Sequence, residues 1–211
     1  MRGPDEMRDK LATLIRQAAP PKTELLRASW DYDAVALPDI DLVKSGELAD
    51  DILNGSLGTC VVDVVNPRLL TSDQVDIDPY GQPVYSTRYS CQLFIWCQAA
   101  EWDVAIAARD HVVAVVRLCL LEWPNLEYNT FGNTNFRLHR NTYTEQFGEP
   151  VRINNRAGGK VWTVARLAID ADREDDIHDG SLRPPIGAAT TINPTAQAVG
   201  PTQPLPGEAT P

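Results

Sequence analysis

Residues 85–124 read YSTRYSCQLFIWCQAAEWDVAIAARDHVVAVVRLCLLEWP, and the change of period inside this stretch decides the fold. Odd positions Tyr85, Thr87, Tyr89, Cys91, Leu93, Ile95 and Cys97 are apolar, aromatic or β-branched, whereas Ser86, Arg88, Ser90 and Gln92 are polar. That is the period of a strand with one face committed to a core. At Phe94 and Trp96 the second face also turns apolar, so the strand runs from a solvated edge into a place covered on both sides. From Glu101 the period lengthens to about 3.6. Trp102, Ile106, Val113, Val116, Leu120 and Trp123 then mark one face of an amphipathic helix, widened by Ala105, Ala108 and Val112. Those six residues, with Tyr89, Leu93 and Ile95 of the strand, are the expected core, and Trp102→Ala is expected to cost about 3–5 kcal/mol. Glu101 and Asp103 suit the positive end of the helix dipole, and Pro124 stops the helix. The second flank, Val104, His111, Val115 and Leu118, is half-apolar and is expected to meet another chain.

Upstream, Asp9 to Ala18 reads as a short helix that Ala19, Pro20 and Pro21 bring to an end. Lys22 to Lys44 has poor periodicity, yet Trp30 and Tyr32 give it anchors. It reads as an extended arm or irregular layer, with a solvated coil as the alternative. Ser45 can cap a short helix that Asn54-Gly55 closes. Gly58 to Val65 is a β-branched strand, and Arg68 to Pro83 a polar loop leading back into the central strand as one arm of a long hairpin.

Downstream, Phe136 to Phe147 alternates loosely between two mostly polar faces, as a strand at a sheet edge does. Asn154 to Gly159 reads as a hairpin loop, and Lys160 to Asp170 as the return strand, with Val161, Thr163, Ala165, Leu167 and Ile169 facing inward. Asp172, Glu174, Asp175, Asp176 and Asp179 then form an acidic run, and prolines recur from Pro184 to Pro211. Such a segment cannot bury enough surface to fold alone, so it reads as a tail. Its removal is expected to spare folding and to impair incorporation into a larger particle.

At 211 residues the chain has room for one ordinary domain with extensions. A net charge of −10 argues against an electrostatic grip on nucleic acid or an anionic membrane. No apolar run approaches the ~20 residues that cross a bilayer, and the first ten residues carry no signal-peptide core. Without a secretory signal, Cys60, Cys91, Cys97 and Cys119 are expected as reduced, buried thiols. Cys91 and Cys97 share a strand face about 20 Å apart, too far to bridge.

Phosphate-cradling glycine patterns, a nucleophile elbow, a zincin motif and Cys-x-x-Cys are all missing from the sequence. His111, His139 and His178 lie on a helix, a strand and the tail, with no ligand at metal-binding spacing. Asp73, Asp76 and Asp78 suggest calcium, but the glycine and terminal glutamate of the EF-hand are absent. Arg88, Arg137, Arg140, Lys160 and Arg166 sit on strands as a positive strip without interleaved aromatics, a poor nucleic-acid site. No catalytic, cofactor or metal residue is assigned, and the chain reads as a non-enzyme.

The run RYSCQLFIWCQAAEWDVAIAARDHVVAVVRLCLLEWPNL, Arg88 to Leu126, resembles the strand-to-helix core of tail terminator proteins of long, non-contractile-tailed actinobacterial phages. The points of likeness are an arginine-tyrosine strand ending in aromatics, a tryptophan-headed helix with the step Ala108-Arg109-Asp110, and a proline-leucine exit. The likeness extends diffusely over Met7 to Asp170. It implies a structural virion protein at the tail-neck junction, assembled in the host cytoplasm. Six copies would form a ring that caps the tail tube and meets the head-tail connector, with DNA passing through an acidic lumen. The irregular arm and the proline-rich tail depart from that pattern.

The fold expected is α+β: an antiparallel sheet of about four to five strands on one long helix, with a short N-terminal helix and extended arms. Its parts are an N-terminal helix (1–21), an arm and short helix (22–57), a core (58–170) and an extension (171–211). Core strands are expected at about 58–65, 84–97, 136–147 and 160–170, and the helix at about 101–123. Arg88, Arg137, Arg140, Val104, His111, Trp30 and Tyr32 are the candidate contacts between subunits. The alternatives are a neighbouring neck protein such as a head-tail stopper, or a small ligand-binding domain or enzyme using Asp73, Asp76, Asp78 or His111.

Overall fold

Alternation at period two continues well beyond the quoted strand, and it builds one large sheet. A computed structural model describes residues 4–45, 58–77, 83–128, 136–155 and 158–176. They form helix α1 (Pro4–Trp30), strands β1 (Leu42–Ser45), β2 (Cys60–Val64), β3 (Arg68–Ile77) and β4 (Pro83–Ala99), helix α2 (Trp102–Glu122), and strands β5 (Phe136–Phe147), β6 (Val151–Asn155) and β7 (Gly158–Asp176). The class is α+β as the sequence implies, with seven described strands in one sheet. The helix expected after Ser45, together with Asp78, His178 and the proline-rich tail, lies outside the described residues.

β4 and β7 are the long central pair, antiparallel from Val84↔Asp176 to Ala99↔Val161. β2 and β3 lie end to end along the other side of β4, and β5 and β6 along the other side of β7. β1 adds to β2 in parallel. Thr163 Oγ1 on β7 donates to the Ala105 carbonyl of α2 at 3.1 Å, which fixes the odd-numbered face of β4 and β7 as the helix side. On that side the rungs Cys91↔Ile169, Leu93↔Leu167 and Ile95↔Ala165 are buried, with Cys60, Val62 and Val64 of β2 beside them. The helices close the layer through Leu11, Leu14 and Ile15 of α1 and Val112, Val116 and Leu120 of α2. Lys22 pairs with Glu122 between them, and Lys10 with Glu127 at 2.9 Å.

α1 does not end at Pro20-Pro21 but continues to Trp30. A proline inside a helix removes a donor and crowds the carbonyl four residues back, which costs about 3 kcal/mol. Here both prolines are exposed, as are Arg16 and Gln17, whose carbonyls lose their partners, so water can replace the missing bonds. Ala18, Ala19, Thr23 and Leu26 carry the buried stripe across the break, and packing overrides propensity. The true stop is Asp31 at φ 56°, with the Tyr32 N–H reaching back to the Arg27 carbonyl at 3.1 Å. That is a left-handed cap made by aspartate where glycine is usual.

Three further expectations change. Residues 68–77 are a strand, not a loop, and pair with the polar half of β4. The acidic run after Asp170 is not a tail at its start, because β7 continues to Asp176 and every residue of that extension pairs with β4. Asn154, Asn155, Gly158 and Gly159, expected in the hairpin loop, are paired strand residues instead, in the rungs Asn154↔Gly159 and Asn155↔Gly158.

Along α2 and its C-cap, Val113, Val116, Leu120 and Trp123 are buried, as are Tyr89, Leu93 and Ile95 on β4. Trp102 is not core: it is 42% exposed, and Ile106 is only half-buried. At about 100° per residue, the buried stripe runs through Ala105, Val112, Val116, Cys119 and Trp123, rotated roughly 50° from the face marked by the largest side chains. Small residues face the sheet because they let the helix axis approach it. Periodicity also gives the angle around a helix but not how far along it the sheet reaches, and Trp102 is the first helical residue.

Candidate functional site

The exposed half of the sheet is built by four complete rungs across β3, β4, β7 and β5. They are Arg68–Ser90–Asp170–His139, Leu69–Tyr89–Ala171–Leu138, Thr71–Arg88–Asp172–Arg137 and Ser72–Thr87–Arg173–Phe136. On the helix side this block is anchored by Arg173, a buried cation that pairs with Glu6 of α1 at 3.0 Å and stands 5.3 Å over the Phe136 ring. On the opposite face Arg88, His139 and Asp172 converge. Arg88 Nε donates to Asp172 Oδ1 at 2.7 Å, and His139 Nε2 lies 2.5 Å from Oδ2. Burial pushes the Asp172 carboxyl up, but the bonds from Arg88 and His139 outweigh that and hold it below its ordinary value. Arg166 donates to Gln92 and Gln146, both at 3.2 Å. The strip expected to be positive is therefore punctuated by Asp172 and Asp170 from the strand between its arginines.

Both outer strands of this block have their second edges unpaired among the described residues. β3 is exposed at every position whose burial is described, with Leu69, Leu70 and Ile77 open to solvent. β5 bulges between His139 and Thr144, where Thr142 Oγ1 accepts from the Asp170 N–H at 2.8 Å in place of a backbone partner. The bulge leaves Arg140 exposed near exposed Arg137. Exposed edges of this kind are templates for pairing with another chain.

At the other end of the same face Val61, Phe94, Trp96, Trp162 and Val164 make the apolar surface that Phe94 and Trp96 foreshadow. Val61 and Trp162 are buried, and Phe94, Trp96 and Val164 half-buried.

The remaining candidate contacts gather at one corner. Tyr32 stacks on His111 with ring centroids 4.1 Å apart, Trp30 meets Tyr32 edge-on at 5.6 Å, and His111 Nδ1 lies 2.6 Å from the Ala36 carbonyl. The flank of α2 expected to meet another chain is thus largely covered by its own. His111 is held by residues 32–36, Val115 is buried, Val104 is half-buried, and Leu118 and Trp30 remain exposed. Arg27 fixes this corner by donating twice to the Leu37 carbonyl, at 2.9 and 2.7 Å.

Sequence reasoning missed the polar ties that hold β5 to α2. Arg117 bonds the Glu145 carboxylate through Nε and Nη2, each at 2.6 Å, and Tyr143 donates to the same group. Buried Arg109 donates from Nη1 to the Gly148 carbonyl at 2.9 Å, with its guanidinium 4.8 Å from the Phe147 ring. An arginine at a core angle of an apolar helix was the available signal. A groove of about 350 Å³ lies between α1 and residues 39–43, lined by Ile15, Arg16, Thr23, Asp39 and Asp41. All four cysteines are free and buried, and Cys60 and Cys97 approach to 3.5 Å between sulfurs. Among the described residues no group of three or more His, Cys, Asp or Glu side chains is placed to hold a metal ion, and no helix is long and apolar enough to cross a membrane. Compared with known protein families and with curated proteins, the chain matches none.

Proposed function

We propose that this chain is a tail terminator: a structural virion protein whose copies, six by the resemblance, close into a ring that caps the tail tube and joins it to the head-tail connector. One observation carries the reading. The residues of the resemblance, Arg88 to Leu126, form most of the central strand β4 and the helix α2 that covers it, and the four-strand block built on β4 ends in two different exposed strands, β3 and β5. Rings are closed by heterologous contacts, so each copy must present two unlike surfaces rather than one self-complementary patch. A net charge of −10 also suits a lumen through which DNA moves without adhering.

Electron microscopy of intact particles labelled with antibody against this chain tests the proposal, together with mass measurement of the assembled protein. Label at the tail-neck junction and a ring of six are expected. Label one layer nearer the head would make it a stopper instead, and a two-fold symmetric dimer as the final assembly would overturn the ring.

A further inference from the structure

The two exposed edges of the four-strand block carry opposite charge. On β3, Asp73 and Asp76 form rungs with Ser86 and Val84, and a bulge between Gln74 and Asp76 brings both to the face opposite the helices. On β5, Arg137 lies on that same face and Arg140 projects from the bulge, three residues further on. All four are exposed, and among the described residues neither arginine side chain has a hydrogen bond or ion pair.

We propose that the β3 edge of one copy adds to the β5 edge of the next as an antiparallel strand, with Asp76 set against Arg137 and Asp73 against Arg140. This rests on the ring reading and names the surfaces that close it. Strand direction supports it. The block has four strands, each antiparallel to its neighbour, so β3 and β5 run in opposite directions. A second copy in the same orientation therefore brings its β5 alongside β3 as an antiparallel partner and continues the sheet. Charge bears on the competing two-fold arrangements, of which only a β3 register that sets Arg68, exposed on the same face, against Asp76 escapes repulsion. Pairing β3 with β3 in the registers that oppose Asp73 and Asp76 would set aspartates against aspartates, and pairing β5 with β5 about Arg137 and Arg140 arginines against arginines, whereas the unlike edges attract. Leu70 and Ile77, exposed on β3, would lose their contact with water in the same step.

Two charge-reversed full-length chains test this, Asp73→Arg with Asp76→Arg and Arg137→Asp with Arg140→Asp, alongside the chain carrying all four changes. Each reversed edge alone is expected to weaken ring formation by roughly tenfold or more, and the four-fold variant to recover it. Because these side chains are exposed, all three variants should melt like the parent. A chain bearing Asp76→Cys and Arg137→Cys, oxidised at high protein concentration, is expected to give covalent trimers and higher species, its native thiols being buried. Dimers as the end point, or no cross-link, would overturn the proposed edges. Rings that form equally well in both single-edge variants would overturn them too while leaving the ring itself standing; absence of any ring in particles removes both readings.

Discussion

Arg109 shows how one side chain can serve two purposes in a buried seam. Its stem packs in the face of α2 that meets the sheet, while its guanidinium caps the Gly148 carbonyl and covers Phe147. Arg109→Ala should therefore destabilise by about 1.5–3 kcal/mol, the range for a hydrogen bond from a charged group, in chemical denaturation. The two helix tryptophans should separate cleanly. Trp123→Ala is expected to cost about 3–5 kcal/mol, and Trp102→Ala, at an exposed position, under about 1 kcal/mol. The thiols belong to this scale as well. Burial pushes Cys91 and Cys119 up to about 12, and Cys60 rises through its contact with Cys97 and through burial. All three should resist alkylation at pH 8 in the folded protein and react once denaturant is added, which mass spectrometry reads directly.

Among the elements, the long strand and the long helix were legible because each holds one period over many residues. What misled were local signals that packing outweighs. Pro20 and Pro21 look like a terminus, yet their exposed flank lets α1 pass through; Asp31, which does end it, is not the glycine that marks such a cap. The residues after Asp170 look like a tail by composition, although the alternation Leu167, Ile169, Ala171, Arg173 continues without a break. The candidate contacts were half legible. Arg88 and Arg137 do share a rung, but the Asp172 between them was hidden in a run read as charge alone.

These ties between elements are acid-sensitive. Burial pushes the Glu145 carboxyl up, but the Arg117 and Tyr143 bonds outweigh it and leave it lowered, as Arg88 and His139 do for Asp172. A lowered folded-state value means the unfolded chain takes up the proton first. The stabilisation is complete above about pH 4.5 and is lost as pH falls through the folded values. Thermal melts between pH 7 and pH 3 should fall in that acid range, and a chain with Asp172→Asn and Glu145→Gln should be less stable at pH 7 and show a shallower decline.

On the scale of the whole molecule, the architecture depends on its last described strand. β7 pairs with β4, β5 and β6, so a chain ending at Asn155 would leave the sheet without its centre. That truncated chain should show no cooperative thermal transition by circular dichroism, whereas removal of Pro184 to Pro211 should leave the transition in place.

The ion pair between Glu6 and Arg173 has a consequence for how the protein is made. Helix α1 is translated before the sheet, yet its Glu6 finds its partner only on β7, the last described strand. At about 5–20 residues per second, the stretch from Trp30 to Asp176 takes roughly 7–30 s to emerge. Throughout that interval Met7, Leu11, Leu14 and Ile15 have no finished surface to lie against, which makes α1 of the nascent chain a natural client for holding chaperones.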